Sequence, residues 1–260
     1  MSRARLLAAL AAAAVAAGSG ARADDPAAIL LGVLPVEAAP GLAADAPLRV
    51  TLELNPPGLE KVASLREWFP AARADGGRVT AELPGRAPPS TSPAAAGQRG
   101  PTFLVDYDRP GAAAFREAVA LLGAAPADAA LTTLVDRWID RKTMTRGIDS
   151  AARVAAHREG DCTEHAVLLA AAARLAGRPA RVVIGVALVE LDGALRGFGH
   201  AWTEIHDGAG WRAVDATPLP PGVRYLPLGA LVDEGPGYLG AAWAALSPLD
   251  VRRVVVAPGP

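Results

Sequence analysis

The stretch HAWTEIHDGAGWRAVD, residues 200–215, predicts two antiparallel strands joined by a turn. Asp207-Gly208 favours the tight turn of a hairpin, because both residue types tolerate the left-handed backbone that such a turn needs. A two-residue turn places Asp215 directly opposite His200, whereas a four-residue loop, 207–210, makes the two residues diagonal neighbours. In both registers the two side chains share one face, so the carboxylate can hold the imidazole in one tautomer.

The only cysteine of the chain, Cys162, lies where the sequence predicts the start of a helix. That helix begins at Asp161-Cys162 and runs through Leu175, and Gly177 followed by Pro179 stops it. Unpaired N–H groups and the dipole at a helix N-terminus favour an anion, so we expect a stabilised thiolate and a lowered pKa of the thiol. The alternative, from the cysteine count alone, is a small buried hydrophobic residue.

The remaining patterns predict an α+β fold. Alternating apolar and polar residues indicate strands over 48–54 and 78–83. Apolar residues at helical spacing indicate a helix over 131–139, and a shorter helix is expected over 150–158. The β-branched run 181–191 adds a strand before the hairpin. Because helices precede an antiparallel sheet, we expect the cysteine helix to pack on that sheet.

Composition divides the chain into five segments. Residues 1–23 have the layout of a signal peptide, and 24–83 form a small strand-rich N-terminal unit. Residues 84–101 contain five Pro, three Gly and no large apolar side chain, which is the composition of an unordered linker. The main α+β domain is expected over 102–225, and 226–260 form a C-terminal extension that we expect to pack on it.

The N-terminus predicts export. Arg3 and Arg5 precede an unbroken apolar run, 6–17, and a small-residue cleavage site at 21–23 would leave Asp24 as the first mature residue. The run is shorter than the about 20 residues of a membrane-spanning helix, and an uncleaved anchor is the alternative. We therefore expect a soluble periplasmic or extracellular protein without stable membrane insertion.

The charge balance argues against nucleic acid as a partner. The chain has 26 basic and 27 acidic residues, and the basic residues are scattered along it. Such a chain has no net positive field to attract a polyanion. A single cysteine also means no internal disulfide, so stability must come from core burial.

Four blocks of the sequence resemble the bacterial transglutaminase-like domain. The family pattern is G-D-C, a helix, G-x-P-A-R-V-V, H-A-W-x-E and W-x-x-x-D-x-T, and the blocks occur here in that order with ordinary spacing. They are residues 160–166, 177–183, 199–205 and 211–217. The resemblance covers about residues 102–225 and is specific, because each block is matched at several positions.

The resemblance implies a papain-like fold with a catalytic triad of Cys162, His200 and Asp215. In such enzymes the thiolate attacks an amide carbonyl, the histidine protonates the leaving amine, and water or another amine resolves the thioester. The expected partner is a peptide or protein amide, with cell-envelope peptides as a natural guess, and no cofactor is expected. Hydrolysis and transamidation stay open. The alternative is a non-catalytic transglutaminase-like binding module of the cell envelope.

Other residues near the triad are candidates for the oxyanion site or for supporting contacts: Trp138, Asp161, His165 and Trp202. One oxyanion donor is expected to be the backbone N–H of Cys162, and the second stays open. Trp138 also fits the apolar face of its helix, and we favour that packing role. A packed or paired role is likewise favoured for His165. Trp202 is expected to pack beside His200 and shield it from water.

A zinc site is the remaining alternative. Cys162, His165, His200 and His206 supply four potential ligands. However, His200 and His206 are six residues apart on one extended strand, which separates them by about 20 Å. They cannot both bind one ion, so we expect no metal.

Overall fold

The computed structural model describes residues 33–39, 42, 46–55, 64–142, 148–191, 193–219, 221–231 and 251–259. Its architecture is mixed α+β, with two five-stranded sheets and a layer of helices. The predicted signal peptide, 1–23, and the cleavage site before Asp24 lie outside the described residues.

The strands are β1 (Val33–Leu34), β2 (Val36–Ala38), β3 (Leu48–Leu54), β4 (Arg73–Asp75), β5 (Arg78–Leu83), β6 (Arg141–Lys142), β7 (Glu159–Gly160), β8 (Ala180–Leu191), β9 (Ala194–His206), β10 (Trp211–Val214), β11 (Arg224–Ala230) and β12 (Val251–Pro258). The α-helices are α1 (Ala113–Ala120), α2 (Asp128–Trp138), α3 (Ala151–His157) and α4 (Cys162–Leu175). The predicted bounds of β3 and β5 are confirmed, and α3, α4 and β8 lie within one residue of their predicted ranges.

The central sheet, in the order β1-β9-β8-β11 with β10 also paired to β9, lies between two layers. One face of this sheet packs on the helices. On that face, Val182, Ala201 and Ile205 belong to the same hydrophobic core as the buried residues of α4. Its other face packs on the N-terminal sheet, β2-β12-β3-β5-β4, through residues such as Trp202 and Leu226. Because strand residues alternate between faces, β9 contributes to both cores.

The hairpin adopts the four-residue loop. Trp211 pairs with His206, and Val214 pairs with Thr203. The Asp207 carboxylate accepts hydrogen bonds from two N–H groups of the loop, at 3.0 and 3.1 Å, which stabilises the longer connection over a two-residue turn. Asp215, directly after β10, is therefore the diagonal neighbour of His200.

Among the described residues, one stretch of β9 has no strand along its outer edge. On the side away from β8, β1 pairs with residues 197–198 and β10 pairs with residues 203–206. Between them lie residues 199–202, and Cys162 at the start of α4 hydrogen-bonds there to the backbone of Ala201. The interrupted edge thus brings the helix N-terminus to the sheet.

The segment 84–100, which we call the strap, is ordered along the central sheet. Ser90 accepts a hydrogen bond from the Trp211 N–H at 2.7 Å, and Arg86 accepts one from the Tyr225 N–H at 2.8 Å. The Trp211 indole also donates to the carbonyl of Ser92 at 2.8 Å. Composition predicted an unordered linker because it measures apolar burial alone, whereas backbone hydrogen bonds to two strands order this segment.

The C-terminal extension does not pack as one piece on the main domain. Strand β11 crosses the expected boundary at residue 225 and extends the central sheet beside β8. Strand β12 instead joins the N-terminal sheet, antiparallel to β3 and parallel to β2. The side chains of Val251, Val254 and Val256 are buried there. Strand β12 is thus part of the N-terminal sheet.

Candidate active site

Three elements bring Cys162, His200 and Asp215 together. Cys162 is the first residue of α4, His200 lies on β9 at the interrupted edge, and Asp215 follows β10. His200 Nε2 lies 2.7 Å from Asp215 Oδ2, which is within hydrogen-bond distance. The His200 side chain also hydrogen-bonds to the Cys162 thiol, which leaves Nδ1 as the nitrogen that faces sulfur. All three side chains are buried, with 5% of His200 and 6% of Asp215 exposed.

The charges of this cluster centre on His200. Burial lowers the pKa of its imidazole, but the Asp215 carboxylate and the hydrogen bonds to Asp215 and Cys162 outweigh burial and raise that pKa to about 10. Burial likewise raises the pKa of Asp215, yet His200 and two further donors bring it below its ordinary value. An ionised carboxylate therefore faces an imidazole with a high proton affinity.

The predicted lowering of the Cys162 pKa is wrong for this structure. Burial, followed by the negative charge of Asp161, raises the pKa of the thiol. The hydrogen bond to His200 and the Ala201 backbone oppose this rise without overcoming it. The helix N-terminus was recognisable in the sequence, but the desolvation of the sulfur and the neighbouring carboxylate depend on the folded structure.

Asp215 is fixed by donors other than His200. Its Oδ1 accepts a hydrogen bond from the Thr217 N–H at 2.8 Å. Its Oδ2, which already contacts His200, also accepts one from the Tyr225 hydroxyl at 2.9 Å. Tyr225 was not predicted, because it lies on β11 and no local pattern relates it to the hairpin.

Glu164 holds the turn that precedes the cysteine. Its carboxyl oxygens accept hydrogen bonds from the Asp161 N–H at 2.9 Å and the Asp149 N–H at 3.1 Å. Asp161 in turn accepts from the Thr163 N–H at 2.8 Å, so Asp161 and Glu164 form a capping box. A Cβ on Gly160 would lie 2.5 Å from the Glu164 Cγ, which explains the glycine. The D-x-x-E spacing could have identified Glu164 from the sequence.

His165 is packed away from the sulfur. Its Nδ1 lies 2.6 Å from the Asp161 carbonyl, and its Nε2 lies 2.7 Å from Lys142 Nζ. Since a carbonyl accepts and an ammonium donates, the neutral ring carries its proton on Nδ1. Burial and the Lys142 charge lower the pKa of His165 to about 4. The packed role that we favoured is confirmed.

The two tryptophans of the prediction have different surroundings. The Trp138 indole donates to the Ala155 carbonyl at 2.9 Å and stacks edge-on against Phe115, so its N–H is not an oxyanion donor. Trp202 is 1% exposed, and its ring centroid lies 6.2 Å from that of His200 and 5.0 Å from that of Tyr225. Trp202 thus covers the imidazole, as expected.

Two further motif residues pair with each other. Arg181 and Glu204 stand opposite each other on β8 and β9, with Arg181 Nε and Nη2 at 2.9 and 2.6 Å from Glu204 Oε2. The Trp68 indole donates to the other Glu204 oxygen at 2.8 Å. Arg181 of the second block and Glu204 of the third therefore link β8 to β9 and to the N-terminal unit rather than acting in the site.

The described ranges contain neither a metal-binding cluster nor a membrane-spanning helix. In those ranges, no group of three or more His, Cys, Asp or Glu side chains is arranged to hold a metal ion. Among the same residues, no helix combines the length and the apolar character needed to cross a bilayer.

Comparison with known families agrees with this geometry. The model of the Transglutaminase-like superfamily matches residues 125–216, which include Cys162, His200 and Asp215. The chain therefore contains a transglutaminase-like superfamily domain. No curated protein sequence matches the chain.

Several solved structures resemble the chain at low identity. One is a candidate cysteine protease from Cytophaga hutchinsonii, at 15% identity and a TM-score of 0.44, covering 82% of this chain and 81% of that one. Another is the periplasmic domain of TgpA from Pseudomonas aeruginosa bound to ethylmercury, at 21% identity and a TM-score of 0.35, covering 68% of this chain and 91% of that one. The same TgpA domain in a second structure gives 21% identity and a TM-score of 0.33.

Proposed function

We propose that the chain is a thiol enzyme that transfers an acyl group from a peptide or protein amide through a thioester on Cys162. The observation that carries the proposal is the buried hydrogen-bonded series from the Cys162 thiol through His200 to Asp215, with 2.7 Å between His200 and Asp215. This is a nucleophile, a base and the group that orients the base.

The proton chemistry follows from the pKa directions. Burial keeps the thiol protonated, and Asp215 keeps His200 strongly basic. The two groups titrate as a pair, and the reactive form, thiolate beside imidazolium, arises when the pair loses one proton. The thiolate attacks the amide carbonyl and forms the C–S bond, and the imidazolium protonates the departing amine as the C–N bond breaks. Water or another amine then releases the acyl group.

The first turn of α4 supplies one oxyanion donor. The first N–H groups of a helix have no partner within the helix. Here the Thr163 N–H is used by Asp161, and the Asp161 N–H is used by Glu164. The Cys162 N–H, between them, is the group that we assign to the oxyanion.

We also propose that the protein is exported and acts on a cell-envelope peptide or protein. The support is the layout of basic residues, apolar run and small-residue site at 1–23. The intact mass of protein recovered from the periplasm or medium checks this, and we expect a chain that begins at Asp24. A mass that retains residues 1–23 would contradict cleavage.

A second candidate function is a binding module that keeps the fold without turnover. One observation favours it: the Cys162 side chain is closed off, with 7% of the residue exposed, and its pKa is raised. If the chain is such a binding module, the Cys162 thiol should not react with acylating reagents at any pH at which the protein stays folded.

A peptide-library cleavage screen combined with electrophile labelling of Cys162 separates the two functions. We expect a thioester or alkyl adduct on Cys162 and cleavage products that disappear in Cys162→Ser. Asp215→Asn should keep the fold but lower turnover by about a thousandfold or more, because both the tautomer and the imidazolium lose support. Asp75→Asn, at an exposed strand residue, is the matched control and should retain full turnover. Absence of both labelling and cleavage would favour the binding module.

A further inference from the structure

Tyr225 contacts the candidate triad from outside the family-matched region. That region ends at residue 216, yet the Tyr225 hydroxyl donates to Asp215 Oδ2, the same oxygen that faces His200 Nε2. With Thr217 on Oδ1, each oxygen of the carboxylate has a donor besides the imidazole. The carboxylate therefore cannot turn about its Cβ–Cγ bond without losing a hydrogen bond.

Tyr225 on β11 reaches Asp215 across the two strands β8 and β9. Gly185 on β8 lies directly opposite His200 and beside β11. A Cβ there would lie 2.7 Å from the Trp202 ring. Without that Cβ, the rings of Trp202 and Tyr225 lie over β8, with centroids 5.0 Å apart. A Cβ at Gly185 would also meet the backbone oxygen of Leu226, so the glycine is explained by the close approach of β11 together with the Trp202 ring.

Arg86 of the strap contacts Tyr225 through both its side chain and its backbone. Its guanidinium carbon lies 5.4 Å from the centroid of the Tyr225 ring, and its Nη2 lies 3.5 Å from the hydroxyl oxygen. Its carbonyl accepts the Tyr225 N–H at 2.8 Å. Because the hydroxyl accepts from Arg86, its own proton is directed to Asp215.

We propose that Tyr225 is a positioning residue for Asp215 and that Arg86 of the strap orients its hydroxyl, so the catalytic unit includes segments on both sides of the family-matched domain. This inference rests on the proposed function. Tyr225 touches neither the sulfur nor a reacting atom, so it acts through Asp215. The titratable groups that face His200 are Cys162, Asp161 and Asp215. Removal of the Tyr225 hydroxyl directly alters the surroundings of Asp215 alone.

The test is a double-mutant cycle on full-length protein, with iodoacetamide as the probe and Cys162 as the only thiol. Tyr225→Phe removes one hydroxyl and should slow alkylation by up to about tenfold, the equivalent of one hydrogen bond to a charged group. In an Asp215→Asn background, the same substitution should have no further effect, because the charged carboxylate that the hydroxyl positions is gone. Arg86→Met should give a smaller slowing that also vanishes in that background.

Tyr107→Phe is the control, since Tyr107 packs against the helical core, whereas the groups that hydrogen-bond to the Asp215 carboxylate are His200, Thr217 and Tyr225. It should leave the alkylation rate unchanged in both backgrounds. Additive effects of Tyr225→Phe and Asp215→Asn would overturn the proposal, as would an equal effect of Tyr107→Phe. If Tyr225→Phe does not fold, the Arg86→Met cycle decides in the same way. The readout needs no substrate, so a non-additive cycle without peptide turnover would count against the proposed function alone.

Discussion

The carboxyl groups of Glu164 and Asp161 hydrogen-bond to each other in the turn that leads into Cys162. Burial and the neighbouring Asp161 charge raise the pKa of Glu164 to about 8, so Glu164 is protonated at neutral pH and donates this bond. One carboxyl group thereby binds two backbone N–H groups and a second carboxylate. The position of Cys162 depends on this fully buried side chain.

We expect Glu164→Ala to destabilise the protein by about 3 kcal/mol, because it leaves a cavity and two buried N–H groups without acceptors. Glu164→Gln should cost less, about 1–2 kcal/mol, since its carbonyl still accepts from one N–H and its amide can donate to Asp161, whereas the other N–H loses its acceptor. Urea denaturation at neutral pH measures both. The same two substitutions at exposed Glu117 should change stability by less than about 0.5 kcal/mol. Equal losses for Ala and Gln at 164 would contradict this prediction, because they would show that an amide of the same size cannot replace the hydrogen bonds of the carboxyl group.

Gly160 and Glu164 should be energetically coupled. Gly160→Ala places a Cβ 2.5 Å from the Glu164 Cγ, so we expect a loss of about 2 kcal/mol or more from overpacking. Combined with Glu164→Ala, the contacts with Cγ and Oε2 are removed while the closer contact with the Cβ of residue 164 stays. Part of the overpacking is thus relieved, and the double variant should be more stable than the sum of the single effects predicts. Gly100→Ala, where nothing lies within 4 Å, is the control. Strict additivity in thermal or urea unfolding would contradict the coupling.

Local patterns predicted the elements that carry the candidate site. The apolar-polar alternation of 48–54 and the start of the cysteine helix at 161–162 depend on adjacent residues, and the structure has both. The hairpin was predicted with two registers, and the Asp207 carboxylate selects the longer loop. Such features depend on a few neighbouring residues, which is why a single sequence contains them.

Contacts between distant segments could not be predicted in this way. Arg86 and Tyr225 are 139 positions apart, and only the packing of the strap across the central sheet brings them together. The thiol pKa was predicted in the wrong direction for the same reason, since the helix terminus is local whereas burial is a property of the whole fold. A single sequence thus gives the position of candidate site residues along the chain better than it gives their pKa values.

The raised thiol pKa predicts a specific pH profile of alkylation. The rate of Cys162 modification by iodoacetamide should have its midpoint above the free-cysteine value of about 8.5. Asp161→Asn should move the midpoint down, because it removes a nearby negative charge but keeps an oxygen that can cap the helix. His200→Ala should move it up, because the hydrogen bond to the thiol is lost. Intact-mass measurement over time gives the rates, with exposed Asp75→Asn as the control. A wild-type midpoint below that of free cysteine would contradict the profile.

His165 predicts acid sensitivity of the fold. Burial and Lys142 lower the pKa of His165 from 6.5 to about 4, so between these values the unfolded chain binds more protons than the folded chain. Stability should therefore fall as the pH decreases from 6.5 to about 4, and the shift corresponds to about 3 kcal/mol. Glu164 acts in the opposite sense, since its raised pKa removes stability as the pH rises from 4.5 to about 8.

A variant that cannot take up the proton isolates the histidine from Glu164. His165→Gln can still accept from Lys142, so it should fold, and its stability should vary with pH by about 3 kcal/mol less than that of the wild type over the same interval. His157→Gln, at an exposed histidine, should keep the wild-type slope. Urea denaturation at intervals across this range supplies the free energies of unfolding. If His165→Gln and the wild type lost stability in parallel on acidification, the proton would be taken up elsewhere and the assignment of a neutral, lysine-bound His165 would fail.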